Sequence, residues 1–378
     1  MATMEEILAQ FDEAARDPML AVKKAKAEGK KSVGLVPYFA PMELVHAAGL
    51  HPVELWGGGN ITGVASSYYP AFYCSLLFTL IARALDGTYD DLSAVIVPTT
   101  CDGLRNLEEN WKYARPEANV IDFVQPIVRD TAASRQYMRG QLKQVASRLE
   151  EVAGAPITDH ALRNSIDAYN RQRQAMRRFS EVAAQHLDVV TPQVRQSVYA
   201  AARSMAVEEH TALVEELNAQ LAALPVYDFT GVKVVVTGVL VDSQPLLDKF
   251  VENNIAVVGD LNIAESARYA TDVPGMVDPY DSLVAMWRDV KGVSVALDPK
   301  KQRGDLLVDL AHERGADGVI ACIVKFCEPE EFDVPVLQVQ MQRASLPLLV
   351  LEMETQEEAS EQAATRIQAF AEMIAATR

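Results

Sequence analysis

The chain of 378 residues is poor in the features that most readily betray a function. Cysteine occurs four times, at Cys74, Cys101, Cys322 and Cys327, and no pair has the CxxC spacing of a structural zinc site or a ferredoxin-like run. There is no GxxxxGK[ST] loop, which argues against nucleotide hydrolysis by this chain, and Gly57-Gly58-Gly59 lacks the spacing of a dinucleotide fingerprint. Basic residues are in deficit. A formal net charge of −17 disfavours nucleic acid, which requires a basic footprint. No apolar run approaches the roughly 18 residues needed to span a bilayer. The acidic, amphipathic start Met1-Ala-Thr-Met-Glu-Glu-Ile-Leu does not read as a secretion signal. These absences predict a cytoplasmic protein that binds neither nucleic acid nor membrane, in which Asn60-Ile61-Thr62 is a chance glycosylation sequon. In a reducing compartment disulfides are rare, and spacing alone favours buried free thiols over ligands.

What is present is a repeated alternation of apolar runs and amphipathic stretches. Ser32–Val36, Pro52–Trp56, Leu92–Pro98 and Asn119–Val124 read as strands separated by helices, the pattern of a parallel sheet. From about Thr131 to Leu224 the pattern turns to long helices, with Met138, Leu142, Val145, Leu149 and Val152 forming an apolar stripe. Four further strands follow, at Val232–Thr237, Ile255–Val258, Gly318–Val324 and Leu346–Leu351. The predicted fold class is α/β: two doubly wound, Rossmann- or flavodoxin-like parallel-sheet lobes with a helical section between them. Residues 1–130 form the first lobe with N-terminal helices, 131–230 the helical section and 231–378 the second lobe.

Chemistry is expected at the carboxyl ends of strands, where open α/β sheets place their ligands. Cys101 and Cys327 each follow a buried strand, and Cys74 opens a helix expected over about Pro70–Leu85. In a two-lobed protein these three could meet in the cleft between lobes, whereas Cys322 lies mid-strand and belongs to a core. Three thiols with no histidine nearby suit a soft-metal or iron–sulfur site better than catalytic zinc. Arg105, Arg268 and Lys325 lie near cysteines or strand ends and are candidates to meet an anionic ligand, though a solvated charge is the simpler reading of each. Gly238 reads as a turn glycine before it reads as a phosphate contact.

Taken together, several segments resemble the 2-hydroxyacyl-CoA dehydratase family, to which benzoyl-CoA reductase subunits are related. They are Pro41-Met42-Glu43-Leu44-Val45-His46-Ala47-Ala48-Gly49, Cys74, Cys101-Asp102-Gly103, Thr237-Gly238, Ala267-Arg268-Tyr269, Lys325-Phe326-Cys327-Glu328-Pro329, and Leu351-Glu352 with Thr365-Arg366-Ile367-Gln368-Ala369-Phe370. The resemblance implies one [4Fe-4S] cluster per chain held by Cys74, Cys101 and Cys327, and it reverses the preference for free thiols. It implies a heterodimer in which this chain resembles the smaller (β) subunit, beside a larger (α) subunit. A separate ATP-hydrolysing iron–sulfur activator would deliver one electron, in keeping with the missing nucleotide loop. The implied reaction is that of a hydro-lyase: reversible, ketyl-radical elimination of water from an (R)-2-hydroxyacyl-CoA substrate to give a 2-enoyl-CoA. Glu43 is a weak candidate for acid–base work, a structural role at a helix start being favoured. Alternatives are a subunit of a benzoyl-CoA-type acyl-CoA reductase and a non-enzymatic iron–sulfur accessory protein.

Overall fold

Eight apolar segments form two separate sheets in the computed structural model, which describes residues 2–58, 63–354 and 361–377. Gly59 and the Asn60-Ile61-Thr62 sequon lie outside the described residues. The N-terminal helices α1 (Met4–Arg16) and α2 (Pro18–Ala27) precede β1 (Ser32–Leu35), α3 (Met42–Ala47), β2 (His51–Glu54), α4 (Ser75–Leu85), β3 (Leu92–Pro98), α5 (Asp102–Ala114) and β4 (Val120–Phe123). These four strands pair in the order β2-β1-β3-β4, all parallel.

Four long helices follow: α6 (Ala132–Ala153), α7 (Asp159–Ala183), α8 (Pro192–Ala201) and α9 (Val207–Ala222). Their starts are written in the sequence. Thr131, Thr158 and Thr191 each accept a hydrogen bond from the backbone N–H three residues on, a cap that contributes about 1 kcal/mol, and Pro192 occupies the first turn of α8. The expected stripe Met138, Leu142, Val145, Leu149 and Val152 is buried together with Val33, Leu35, Ile96 and Phe123 of the first sheet.

The second half contains β5 (Val232–Gly238), α10 (Gln244–Glu252), β6 (Ile255–Asn262), α11 (Pro279–Asp289), α12 (Arg303–Arg314), β7 (Gly318–Val324), α13 (Glu328–Arg343), β8 (Leu348–Met353) and α14 (Glu361–Thr377). The sheet order is β6-β5-β7-β8, again all parallel. Both halves therefore repeat one winding, in which the chain reverses direction across the sheet between the first and third strands. β7 is buried along its whole length, as its unbroken apolar run requires, and Cys322 is enclosed there with Ile320, Leu351 and Phe370. Gly238 ends β5 at φ +154°, where an added Cβ would lie 2.2 Å from the carbonyl oxygen of Cys322. It is a close-approach glycine.

Several element bounds shift by a few residues, two of them near the cysteines and strand ends, and one helix was not foreseen. The helix after β2 starts at Ser75, because Cys74 is still extended, at φ −68° and ψ 149°. The preceding turn is held instead by the rings of Tyr69, Tyr73 and Phe78. β6 continues past Gly259 to Asn262, since an irregularity opposite Val234 and Val235 absorbs one residue and restores pairing. Helix α13 was not apparent from the sequence at all. It carries Pro335 inside it and buries only Glu330, Asp333, Leu337 and Met341, so it has little apolar periodicity.

The halves are joined by charged and apolar contacts. Arg268 pairs with Glu54 at 2.5 Å, Arg129 donates to the Trp287 carbonyl at 2.8 Å, and Arg139 pairs with Asp278 and Asp281. Trp56 is buried against Leu240, Ile263, Ala264 and Val290. No helix among the described residues is long and apolar enough to cross a membrane.

Candidate metal centre

Cys74, Cys101 and Cys327 occupy the same local position three times over: each is the residue immediately before a helix, α4, α5 and α13 respectively. Cys101 follows β3 and Cys327 follows β7, the third strand of each sheet, so the repeated winding places them at corresponding strand ends. Cys74 enters from the segment that links β2 to α4.

The three thiols lie close enough to act on one another. Cys101 disfavours the thiolate of Cys74, and both Cys74 and Cys101 disfavour that of Cys327. Glu328, in the first turn of α13, acts likewise on Cys101 across the gap between the two halves. Burial is the largest influence on all three. It pushes Cys74 up to about 12, raises Cys101, and holds Cys327 well above the ordinary thiol range. Backbone N–H groups work in the opposite sense: those of Leu76 and Leu77 face Cys74, those of Gly103 and Leu104 face Cys101, and that of Glu330 faces Cys327. These amides belong to helix first turns, whose positive end favours negative charge.

Packing holds the helix starts together. An added Cβ on Gly103 would lie 2.6 Å from Leu77 Cδ1, so any side chain there requires the end of Leu77 to move as α5 begins against α4. Asn106 Nδ2 donates to Tyr73 Oη at 2.8 Å and Asn110 Nδ2 donates to the Tyr68 carbonyl at 3.0 Å, fixing the segment before Cys74. Before Cys327, Phe326 is turned to φ +62° and its N–H donates to Glu331 at 2.9 Å.

The donor set fits an iron–sulfur group. It consists of three sulfurs flanked by backbone N–H donors, and beside Cys101 the buried Thr100 Oγ1 has no hydrogen-bond partner among the described residues. Among the described residues, no three His, Cys, Asp or Glu side chains stand at metal-ligating spacing. The thiols gather without closing on a common point.

Cys322 is apart from this group, fully buried in the second-sheet core with its thiol pushed up by burial. Glu43 is apart as well. It is paired with Arg173 of α7, both buried, on a separate cavity of about 80 Å³ whose walls include Tyr38, Met138, Tyr169, Arg268 and Trp287. Arg268 is consumed by Glu54, Lys325 stands 3.9 Å from Glu354, and Arg105 is exposed. The reading of the sequence missed a buried ionic group behind Cys327, formed by Arg303, Glu330 and Asp333. The signal was the acidic run Glu328-Pro329-Glu330-Glu331 directly after the cysteine.

Fold and site together define a class: a two-lobed, all-parallel α/β protein with Cys101 and Cys327 at corresponding strand ends and Cys74 at the start of α4. A family model described as 2-hydroxyglutaryl-CoA dehydratase, D-component, matches residues 37–374, and the chain belongs to this dehydratase family. It is 40% identical to the lactoyl-CoA dehydratase subunit beta of Anaerotignum propionicum, over 99% of this chain and all of that one. It is 35% identical to the (R)-phenyllactyl-CoA dehydratase beta subunit of Clostridium sporogenes, over 99% and 100%. With the (R)-2-hydroxyglutaryl-CoA dehydratase subunit beta of Acidaminococcus fermentans it shares 34% identity over 97% and 99%.

Proposed function

We propose that this chain is the beta-type subunit of a 2-hydroxyacyl-CoA dehydratase, a hydro-lyase, and that Cys74, Cys101 and Cys327 hold one [4Fe-4S] cluster in it. When bound, such a group supplies one-electron transfer at a potential set by its surroundings. Its partners would be a larger alpha subunit and an ATP-hydrolysing iron–sulfur activator that supplies the electron. The observation that carries the reading is the convergence of three cysteines from both halves, each at a helix start and each within electrostatic reach of another.

The chain's own residues have definable tasks in this reading. The helix-start amides of Leu77, Gly103, Leu104 and Glu330 favour thiolate over thiol, against the cost of burial. Tyr73, Leu77 and Gly103 pack the first-lobe thiols into one rigid corner that limits water. The cavity beside Glu43 speaks for a relay role, with the thioester bound by the alpha subunit. At about 80 Å³ it is well below the roughly 300–1,000 Å³ of sites for drug-sized ligands, and its buried charges are already paired.

Anaerobic purification with iron and sulfide analysis tests the assignment. The expected result is about four irons per chain, lost in Cys101→Ser and Cys327→Ser and retained in Cys322→Ala. An iron-free anaerobic protein would sink it. Reconstitution with an alpha subunit and activator is expected to give ATP-dependent enoyl-CoA formation from a 2-hydroxyacyl-CoA.

A further inference from the structure

Behind Cys327 lies a buried ionic group that the proposed function does not use. Glu330, in the first turn of α13, is fully buried, and one of its oxygens accepts from Arg303 Nη2 at 2.9 Å. Its other oxygen accepts from Ser294 Oγ at 2.5 Å. Arg303 opens α12 and is 5% exposed. It also donates to Thr237 Oγ1 at 2.9 Å and faces Asp333 at 3.4 Å. Asp333 takes a second cation, Lys301, at 2.8 Å. Thr237 in turn donates to the Leu261 carbonyl at 2.8 Å, so the group is anchored in β5 and β6.

The placement matters because Glu330 touches the candidate centre in two ways. Its backbone N–H faces Cys327, and its carboxylate is, after burial, the largest influence disfavouring charge on that sulfur. A buried carboxylate one helical turn from a ligand is an energetic liability unless a cation holds it. Arg303 does so. Charges in this setting are weakly screened, and a single unpaired one at this range shifts a neighbouring one-electron equilibrium by roughly tenfold or more.

We propose that the Arg303–Glu330 pair sets the reduction potential of the group bound by Cys327. Both are positioning residues, and the inference rests on the cluster assignment above. Reduction adds one electron, delivered by the activator and passed on to the larger subunit, and the added negative charge meets whichever member of the pair is left unpaired. Replacing Glu330 leaves Arg303 in excess and makes reduction easier. Replacing Arg303 leaves Glu330 and Asp333 and makes it harder.

The test is anaerobic potentiometry on the purified full chain, monitored by electron paramagnetic resonance, with iron content measured alongside. Glu330→Gln is expected to raise the midpoint potential, and Arg303→Gln to lower it, each by about 59 mV for a tenfold change in a one-electron equilibrium. Shifts in opposite directions at native iron content support the pair as the determinant. If both variants keep their iron and the potentials stay put or move in the same direction, the inference is overturned while the cluster assignment stands. Loss of iron from a folded Glu330→Gln also overturns it, reducing Glu330 to a brace. Should Arg303→Gln or Glu330→Gln fail to fold, Asp333→Asn carries the same upward sign, and an unmoved potential there counts against the pair. Absence of iron from the unaltered chain is a different failure, that of the cluster assignment.

Discussion

His210 shows how fully one side chain can be committed to the fold. It is 0% exposed, its Nε2–H donates to the Val198 carbonyl at 3.0 Å, and its Nδ1 accepts from Gln172 Nε2 at 3.1 Å. That pattern requires the neutral ring, and burial lowers the pKa from 6.5 to about 4. The sign follows directly. As pH falls below 6.5 the unfolded chain takes up a proton that the folded chain refuses, so stability declines down to about pH 4 and is complete only above 6.5. The contribution is on the order of 3 kcal/mol. Urea titrations between pH 4.5 and 7 should show this slope in the unaltered protein and a flatter one in His210→Gln. Equal slopes in the two would refute the assignment. Glu43 teaches the complementary lesson. In the sequence it stands in a family-like segment, yet its carboxylate is neutralised by Arg173, 130 residues away.

At the scale of elements, legibility followed the strength of local patterning. All eight strands were visible as short apolar runs, wholly buried in β7 and alternating in β8, and the helical section by the apolar stripe of α6. Helix α13 was invisible because only Leu337 and Met341 give it an apolar face, while its other buried side chains, Glu330 and Asp333, are held by Arg303, which no local window contains. The same limit applied to the site. Cys101 and Cys327 could be placed at strand ends from the sequence, with a helix after Cys101, but that Cys74 precedes its helix rather than lying within it, and that a helix follows Cys327, was not readable. The approach of α4 to α5 is the most exacting of these arrangements. Alanine at Gly103 gains helix propensity that partly offsets the contact with Leu77, whereas valine adds bulk that cannot be accommodated. Gly103→Val is therefore expected to cost about 1–3 kcal/mol and to lower bound iron, with Gly103→Ala much closer to the unaltered protein. Native melting and iron content in Gly103→Val would remove the close-approach argument.

For the whole molecule the question is what keeps the two sheets in register, since a thiol-bound group spanning them could be the fastener or merely a guest. The packing answers for the latter. Two buried clusters join the halves: Val273, Leu283, Val284 and Trp287 of the second pack with Met42, Leu44 and Met138, and Trp56 of the first inserts among Leu240, Ile263, Ala264, Val290 and Val293. Its indole N–H donates to Glu54 at 2.9 Å, Glu54 pairs with Arg268 of the second half, and the Arg203 guanidinium lies 5.3 Å above its ring. These contacts do not involve the cysteines. Removing iron with a chelator is thus expected to lower the melting temperature while leaving one cooperative transition. Trp56→Ala, a change that costs about 3–5 kcal/mol in a packed core, should instead broaden or split that transition whether or not iron is present. Calorimetry of the two preparations distinguishes them: a split transition on iron removal alone, with Trp56→Ala still cooperative, would make the thiol-bound group the fastener and the aromatic contact secondary.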